Sequence, residues 1–123
     1  MSNSILKDKS FELAIKIVNV YKKLSSEKKE YVISKQLLRS GTSVGANIRE
    51  AKNAESTNDF IHKLGIAQKE CDETLYWLEL LSVTGFLDDN IIKIVTNEAD
   101  QILKMIKSSI LTTKQKKLIA HNS

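Results

Sequence analysis

No proline occurs anywhere in the 123 residues of this chain, and glycine appears only at Gly41, Gly45, Gly65 and Gly85. Proline and glycine build the tight turns that an all-β domain needs every few residues, so their scarcity argues against sheets and for long helices. The same scarcity rules out a glycine-rich phosphate loop, and with it the P-loop and dinucleotide-binding folds. A chain of this length supports one hydrophobic core and one domain. With 41% apolar and 28% charged residues, it has the composition of a globular protein and not of a disordered one. A single cysteine, Cys71, excludes an internal disulfide and a multi-cysteine zinc site. No run of residues approaches the roughly 18 apolar positions of a membrane span. Met1 to Lys9 is short and polar, unlike a signal peptide. The expectation is a cytoplasmic protein with no membrane partner.

Apolar periodicity predicts four helices. The first runs from Ser4 or Lys9 to Leu24 and carries two apolar rows, Phe11-Ala14-Ile15-Val18-Tyr21 and Leu13-Ile17-Val20-Leu24, which together imply a wide buried face. The second runs from Glu30 to Asn53, with Val32, Leu37, Val44, Ile48 and Ala51 toward the core. Gly41 and Gly45 lie four residues apart on one of its faces. Each weakens the helix by about 1 kcal/mol relative to alanine, which points to close approach of another backbone. The third runs from Thr57 to Val83, capped at its start by the Ser56-Thr57-Asn58-Asp59 oxygens and at its end by a left-handed Gly85. The fourth begins after Asp88-Asp89-Asn90 and ends near Leu111, with Ile91, Ile92, Val95, Ala99, Ile102, Leu103, Ile106 and Ile110 as its stripe. Long helices with short connections give an all-α, antiparallel up-down-up-down four-helix bundle over residues 1–111. Residues 112–123 read as a basic, flexible tail.

The third helix is apolar nearly all round over Leu75-Tyr76-Trp77-Leu78-Glu79-Leu80-Leu81. A bundle helix buries one face against its siblings, so the surplus calls for further cover. Ile66, Trp77 and Leu80 fall on a different side from Leu64, Cys71, Leu75 and Leu78, and are the expected self-association face.

The net charge of +4 is unevenly spread. Residues 61–90 carry −4, whereas residues 1–30 carry +3, 31–60 carry +1 and 91–123 carry +4. Basic residues also recur at helical spacing. Lys9, Lys16 and Lys23 repeat every seven residues. Lys35, Arg39 and Arg49 fall within roughly 80° of one another on the second helix, and Lys93, Lys104, Lys107 and Lys114 within a similar arc on the fourth. Such stripes suit phosphate, or are simply solvated faces. No aromatic residue is interleaved with them in sequence, so backbone contacts are the expected mode.

Catalytic chemistry is hard to find. Asp59-Phe60-Ile61-His62 is one incomplete version of the two Glu-x-x-His motifs that a di-iron bundle needs, so no metal is expected. Neither Arg39 nor Arg49 has a histidine four to six residues downstream, the spacing carried by helical RNases of the higher-eukaryote-and-prokaryote nucleotide-binding type. Cys71 lies on an apolar row and reads as a buried structural thiol. No residue reads as an activated nucleophile or as part of an acid–base pair, and no cofactor is expected. The polar cluster around the glycines, Arg39, Ser40, Ser43, Asn47 and Glu50, reads first as a packed network fixing helix register and second as a small-ligand site.

The segment Gln36-Leu-Leu-Arg-Ser-Gly-Thr-Ser-Val-Gly-Ala-Asn-Ile-Arg-Glu-Ala51 resembles the signature of a bacterial four-helix-bundle family. That family includes proteins encoded in intervening sequences of 23S ribosomal RNA genes. The likeness continues through Asp59-Phe-Ile-His-Lys-Leu-Gly-Ile-Ala67 and Lys69-Glu-Cys-Asp-Glu-Thr-Leu-Tyr-Trp-Leu-Glu-Leu-Leu81. Ala51 departs from it, standing where many members have glycine. The resemblance implies an up-down bundle assembling as a ring-like homopentamer, with no enzymatic activity. It also implies kinship to the accessory protein of diversity-generating retroelements, a basic pentamer associated with nucleic acid and a reverse transcriptase.

The reading of this sequence is therefore a non-enzymatic homo-oligomer that binds RNA or DNA through basic outer faces. Arg39, Arg49, Lys52, Lys104 and Lys107 are its candidate contacts. Gly41, Ser43, Gly45, Asn47 and Glu50 are its packing motif, and Ile66, Trp77 and Leu80 its interface. The competing class is a structural or protein-interaction module without a nucleic-acid role.

Overall fold

The chain is described by a computed structural model, which covers residues 2–122, with side chains from Ile5 to His121. Four helices follow in order: α1 (Ser2–Ser26), α2 (Ile33–Lys52), α3 (Thr57–Val83) and α4 (Asp89–Asn122). Each packs on its sequence neighbour and α1 closes the ring against α4, while the backbones of the diagonal pairs stay apart among the described residues. The cross-helix contacts run in opposite directions along each pair, so neighbours are antiparallel. Gly41 lies against Ile17 and Gly45 against Ser10. Ser40 meets Thr74 and Glu50 meets Lys63. Cys71 meets Ala99 and Asn58 meets Lys117. The fold is an all-α up-down-up-down four-helix bundle.

The core follows a heptad rule. Buried positions alternate steps of four and three along α1 (Leu6, Ser10, Leu13, Ile17, Val20, Leu24) and α4 (Val95, Ala99, Ile102, Ile106). The same alternation holds along α2 (Ser34, Leu37, Gly41, Val44, Ile48, Ala51) and along α3 (Leu64, Ala67, Cys71, Thr74, Leu78, Leu81). A repeat of 3.5 residues keeps one seam facing the partners over the whole length of nearly parallel helices. Several of these positions are small or hydroxylic. Each hydroxyl is satisfied: Ser10 donates to the Lys7 carbonyl, Ser34 to that of Glu30, and Ser40 to that of Leu37. Thr74 Oγ1 lies 3.1 Å from Ser40 Oγ and donates to the Glu70 carbonyl at 2.8 Å. Among the described residues, no buried side-chain nitrogen or oxygen lacks a partner.

Four expectations need correction. Of the two apolar rows on α1, only Leu13-Ile17-Val20-Leu24 lines the core; Phe11 is 55% and Ile15 48% exposed. Both rows satisfy helical periodicity, and only the position of α2 and α4 decides between them. Val32 stands outside the core and precedes α2, which begins at Ile33 and not at Glu30. Glu30 instead serves as a cap: its carboxylate accepts hydrogen bonds from the amides of Val32 (3.1 Å), Ile33 (3.0 Å) and Ser34 (2.7 Å). The preceding Lys29 holds the left-handed backbone (φ 55°) that reverses the chain. Finally, no tail begins at residue 112. The helix α4 continues unbroken to Asn122, with no glycine or proline after Gly85 to stop it. The capping residues of α3 and α4 match the reading, although α4 begins at Asp89 and not after Asn90, and α1 ends at Ser26 and not at Leu24. Ser56 Oγ accepts from the Asp59 amide at 3.0 Å and Asp88 Oδ1 from the Ile91 amide at 3.0 Å. Gly85 (φ 81°) closes α3, with Phe86 N–H bonded to Leu81 O and Gly85 N–H to Ser82 O, the paired bonds of a Schellman ending.

Two predictions follow from these local devices. Modest desolvation raises the Glu30 pKa, but the amides it caps outweigh this and hold it below the ordinary carboxylate value. Its contribution is therefore present above the unfolded-state pKa and is lost as pH falls through the lower folded value. Glu30→Gln is expected to cost about 1 kcal/mol at neutral pH, as for other helix caps, with the difference from wild type shrinking in urea titrations as pH falls below the ordinary carboxylate range. In contrast, Gly65 lies exposed within α3, and a Cβ there would meet nothing within 4 Å. Gly65→Ala is expected to raise stability by about 0.5–1 kcal/mol, read as a shift in the urea midpoint at constant slope.

Candidate nucleic-acid interface

The five cations singled out from sequence, Arg39, Arg49, Lys52, Lys104 and Lys107, are all exposed. They occupy α2 and α4, which stand at opposite corners of the bundle. The fold therefore separates them into two groups and does not gather them into one site. Arg49 leans over the exposed Phe11 ring, its guanidinium carbon 5.9 Å from the ring centroid. It helps to line a groove of about 430 Å³ between α1 and α2 with Phe11, Ala14, Thr42 and Ala46. Lys104 lines a second groove of about 380 Å³, bordered by Leu6 of α1 and Phe60 of α3, together with Ser108, Thr112 and Lys116. Hydroxyls and ammonium groups there all donate hydrogen bonds, which suits phosphate. The basic row of α1 is partly engaged: Lys16 pairs with Glu98 at 3.0 Å and Lys9 reaches Gln101 at 3.5 Å. Those lysines pin α1 to α4.

The motif residues on α2 divide by neighbour. A Cβ at Gly41 would sit 2.7 Å from Ile17 Cγ1, and one at Gly45 would sit 3.3 Å from the Ser10 carbonyl oxygen. Both glycines thus let α1 lie close. Ser43 and Asn47 make local bonds: Ser43 Oγ donates to the Arg39 carbonyl at 2.7 Å and Asn47 Nδ2 to that of Ser43 at 2.8 Å. Glu50 accepts from Lys63 of α3 at 3.0 Å, and this partner raises the Lys63 pKa. The polar link that joins α2 to α3 within the core is Ser40–Thr74. Thr74 went unnoticed in the sequence because a threonine in an apolar segment carries no periodic signal of its own.

Ile66, Trp77 and Leu80 share one flank of α3, each half-buried. Trp77 packs partly on the core, its indole N–H donates to Glu73 at 3.3 Å, and its ring meets Tyr76 edge-on at 4.9 Å between centroids. Tyr76 and Val83 are the most exposed apolar side chains of this helix. The α3 acids make neither of the two ion pairs found among the described residues, Lys16–Glu98 and Lys63–Glu50.

One arrangement spans two distant stretches of sequence. The first turns of α3 and the last turns of α4 enclose an open groove of about 650 Å³. Both histidines of the chain, His62 and His121, line it with Lys114 and Lys117. Cys71, by contrast, is sealed in the core, its thiol donating to the Ala99 carbonyl at 3.3 Å. No helix among the described residues is long and apolar enough to cross a membrane.

Heptad-seamed antiparallel helices with cations on outer corners define a basic four-helix-bundle protein. The profile of the 23S rRNA-intervening sequence protein family matches residues 2–108, and the chain belongs to that family. It is also similar to a crystal structure from Bacteroides thetaiotaomicron, described as a protein of unknown function from the S23 ribosomal protein family. The two share 53% sequence identity at a TM-score of 0.88, over 89% of this chain and 98% of that one. Among curated proteins, none matches this chain.

Proposed function

We propose that this protein performs no chemistry of its own and acts as a homo-oligomeric ring, a pentamer, that holds nucleic acid on its basic outer faces. The observation that carries the reading is the exposure of Arg39, Arg49 and Lys52 on one corner and of Lys104 and Lys107 on the opposite one. A lone chain at +4 offers each corner only two or three charges. Repetition around a ring multiplies them, and phosphate affinity rises with the number of counterions released. Assembly is supported by apolar surface left bare in a single chain: Phe11 and Ile15 on α1, Tyr76 and Val83 on α3. These are different surfaces, as a head-to-tail ring requires, whereas a two-fold dimer would use one surface twice. The α3 acids, which make no ion pair among the described residues, and the basic excess of α1 suit the same head-to-tail contact.

Light scattering tests the assembly. A mass near five times 13.9 kDa is expected, and a mass near 13.9 kDa overturns it. Mobility shifts with structured RNA and DNA across a salt series test the ligand. Complexes that weaken steeply with salt are expected; absence of any shift at low salt overturns the nucleic-acid reading.

A further inference from the structure

We infer that the groove between the first turns of α3 and the last turns of α4 is a binding site for single-stranded nucleic acid. This rests on the nucleic-acid reading above and narrows it to one place. It also draws on residues outside the shared family region. The family profile ends at residue 108, whereas Lys114, Lys117, Leu118 and His121 lie beyond it. The continuation of α4 past Leu111 as helix is what brings those residues to α3.

The lining combines three chemistries in one concavity. Lys114 and Lys117 supply positive charge, and no carboxylate lines the groove to neutralise it. Lys117 Nζ donates to Asn58 Oδ1 at the start of α3, which holds that ammonium at the groove. His62 and His121 present imidazole rings from the two walls, and Ile61 and Leu118 add apolar surface, Leu118 being 61% exposed. The volume of about 650 Å³ falls within the range of ligand pockets. An isolated phosphate would use the lysines and leave the rings and apolar groups wet. A duplex keeps its bases stacked inside and offers the groove only its backbone. Unpaired nucleotides present both a charged backbone and flat apolar faces that stack on aromatic rings, histidine included. Lys107, Lys114 and His121 are spaced by sevens, which sets them in one exposed row along α4 leading into the groove. The sequence shows no aromatic residue among the lysines; the fold supplies two by bringing His62 and His121 to Lys114 and Lys117.

Fluorescence anisotropy on the full chain tests the site, with labelled oligouridylate and oligothymidylate of about twelve nucleotides and a blunt, loop-free RNA duplex as probes. All four substituted side chains are exposed, and circular dichroism verifies that helix content is unchanged. His62→Ala/His121→Ala is expected to weaken binding of the single strands about tenfold or more and to leave the duplex affinity unchanged. Lys114→Gln/Lys117→Gln is expected to weaken single-strand binding and to flatten its salt slope by about 1.4. Single-strand affinity unchanged in either double variant, while wild type binds, overturns the groove and leaves the broader reading standing. If wild type binds none of the three probes, both readings fall.

Discussion

Gly41→Ala destabilises the bundle by about 1–3 kcal/mol, the usual cost of forcing an extra carbon into a packed core. The new Cβ would meet Ile17 at three atoms, 2.7 Å from Cγ1, 2.8 Å from Cγ2 and 3.2 Å from Cβ. Ile17 cannot swing aside, because its side chain is fully buried on the α1 seam. The helices must part or the isoleucine must leave its rotamer. The intrinsic helix preference for alanine works in the opposite direction, by about 1 kcal/mol, so the sign of the measured change tests packing against propensity. The exposed Gly65, where only propensity acts, provides the comparison: one Gly→Ala change should lower stability and the other raise it. A double-mutant cycle separates steric conflict from general loosening. Ile17→Ala alone should cost about 2–5 kcal/mol as a cavity. Combined with Gly41→Ala, it should cost less than the sum of the two single changes by about 1 kcal/mol or more, because the new methyl then occupies vacated space. Additive costs, or stabilisation by Gly41→Ala, would show that α1 does not lean on Gly41.

The pairing of Gly41 with Gly45 was legible in the sequence because two helix-weakening residues four apart on one face need a packing reason. Their partner was not, since nothing local says that α1, and not α3, lies against them. The same limit explains α1. Phe11 and Ile15 satisfy the helical period as well as Leu13 and Ile17 do, and neighbouring helices decide which row is buried. Hydroxyl positions were hidden for a different reason. Ser10, Ser34 and Thr74 fall on the heptad seams, but a search for apolar periodicity passes over them. Their burial is tolerated because each donates to a carbonyl one helical turn back. Gly85 was readable because only one common helix ending needs a glycine followed by apolar residues. Glu30 was misread because a glutamate beside an apolar run looks like part of the helix that it caps.

The candidate surface was legible as composition and not as geometry. Counting charges located the basic helices and the acidic third one. It could not show that the α2 and α4 cations stand at opposite corners, nor that the α3 acids make no ion pair among the described residues. The region beyond Leu111 looked like a fraying tail because it is basic and has only a weak apolar stripe. With no breaker present, and with α3 alongside to receive contacts such as Lys117 to Asn58 across 59 residues, it continues as helix. The groove with both histidines exists only because of that continuation.

Cys71 should be nearly inert in the folded protein. Burial pushes its pKa up to about 12, with Asp72 and Asp100 adding to the rise and Lys107 opposing it. The thiolate is the reactive form, so a rise of about three units leaves on the order of a thousandth of the usual thiolate at a given pH. Disulfide-exchange reagents at pH 8 should therefore modify the native protein at least about 10³-fold more slowly than the unfolded chain, with any residual rate reporting transient opening of the α3–α4 seam. The same shift has a consequence for stability, and its sign is set. A thiol with a raised folded-state pKa contributes fully below its unfolded value and loses that contribution as pH climbs toward about 12. Above the free-thiol value, the unfolded chain ionises first and stability falls by up to about 1.4 kcal/mol per pH unit. Deprotonation of Lys63, whose pKa its Glu50 partner raises, also weakens the fold at alkaline pH, so the comparison must be with Cys71→Ala, which keeps that pair and removes the thiol. The variant should start lower at neutral pH for want of the sulfur's packing, then close the gap as pH rises from about 9. Parallel alkaline profiles, or rapid labelling of the native thiol, would place Cys71 in contact with solvent and not at the centre of the seam that joins α3 to α4.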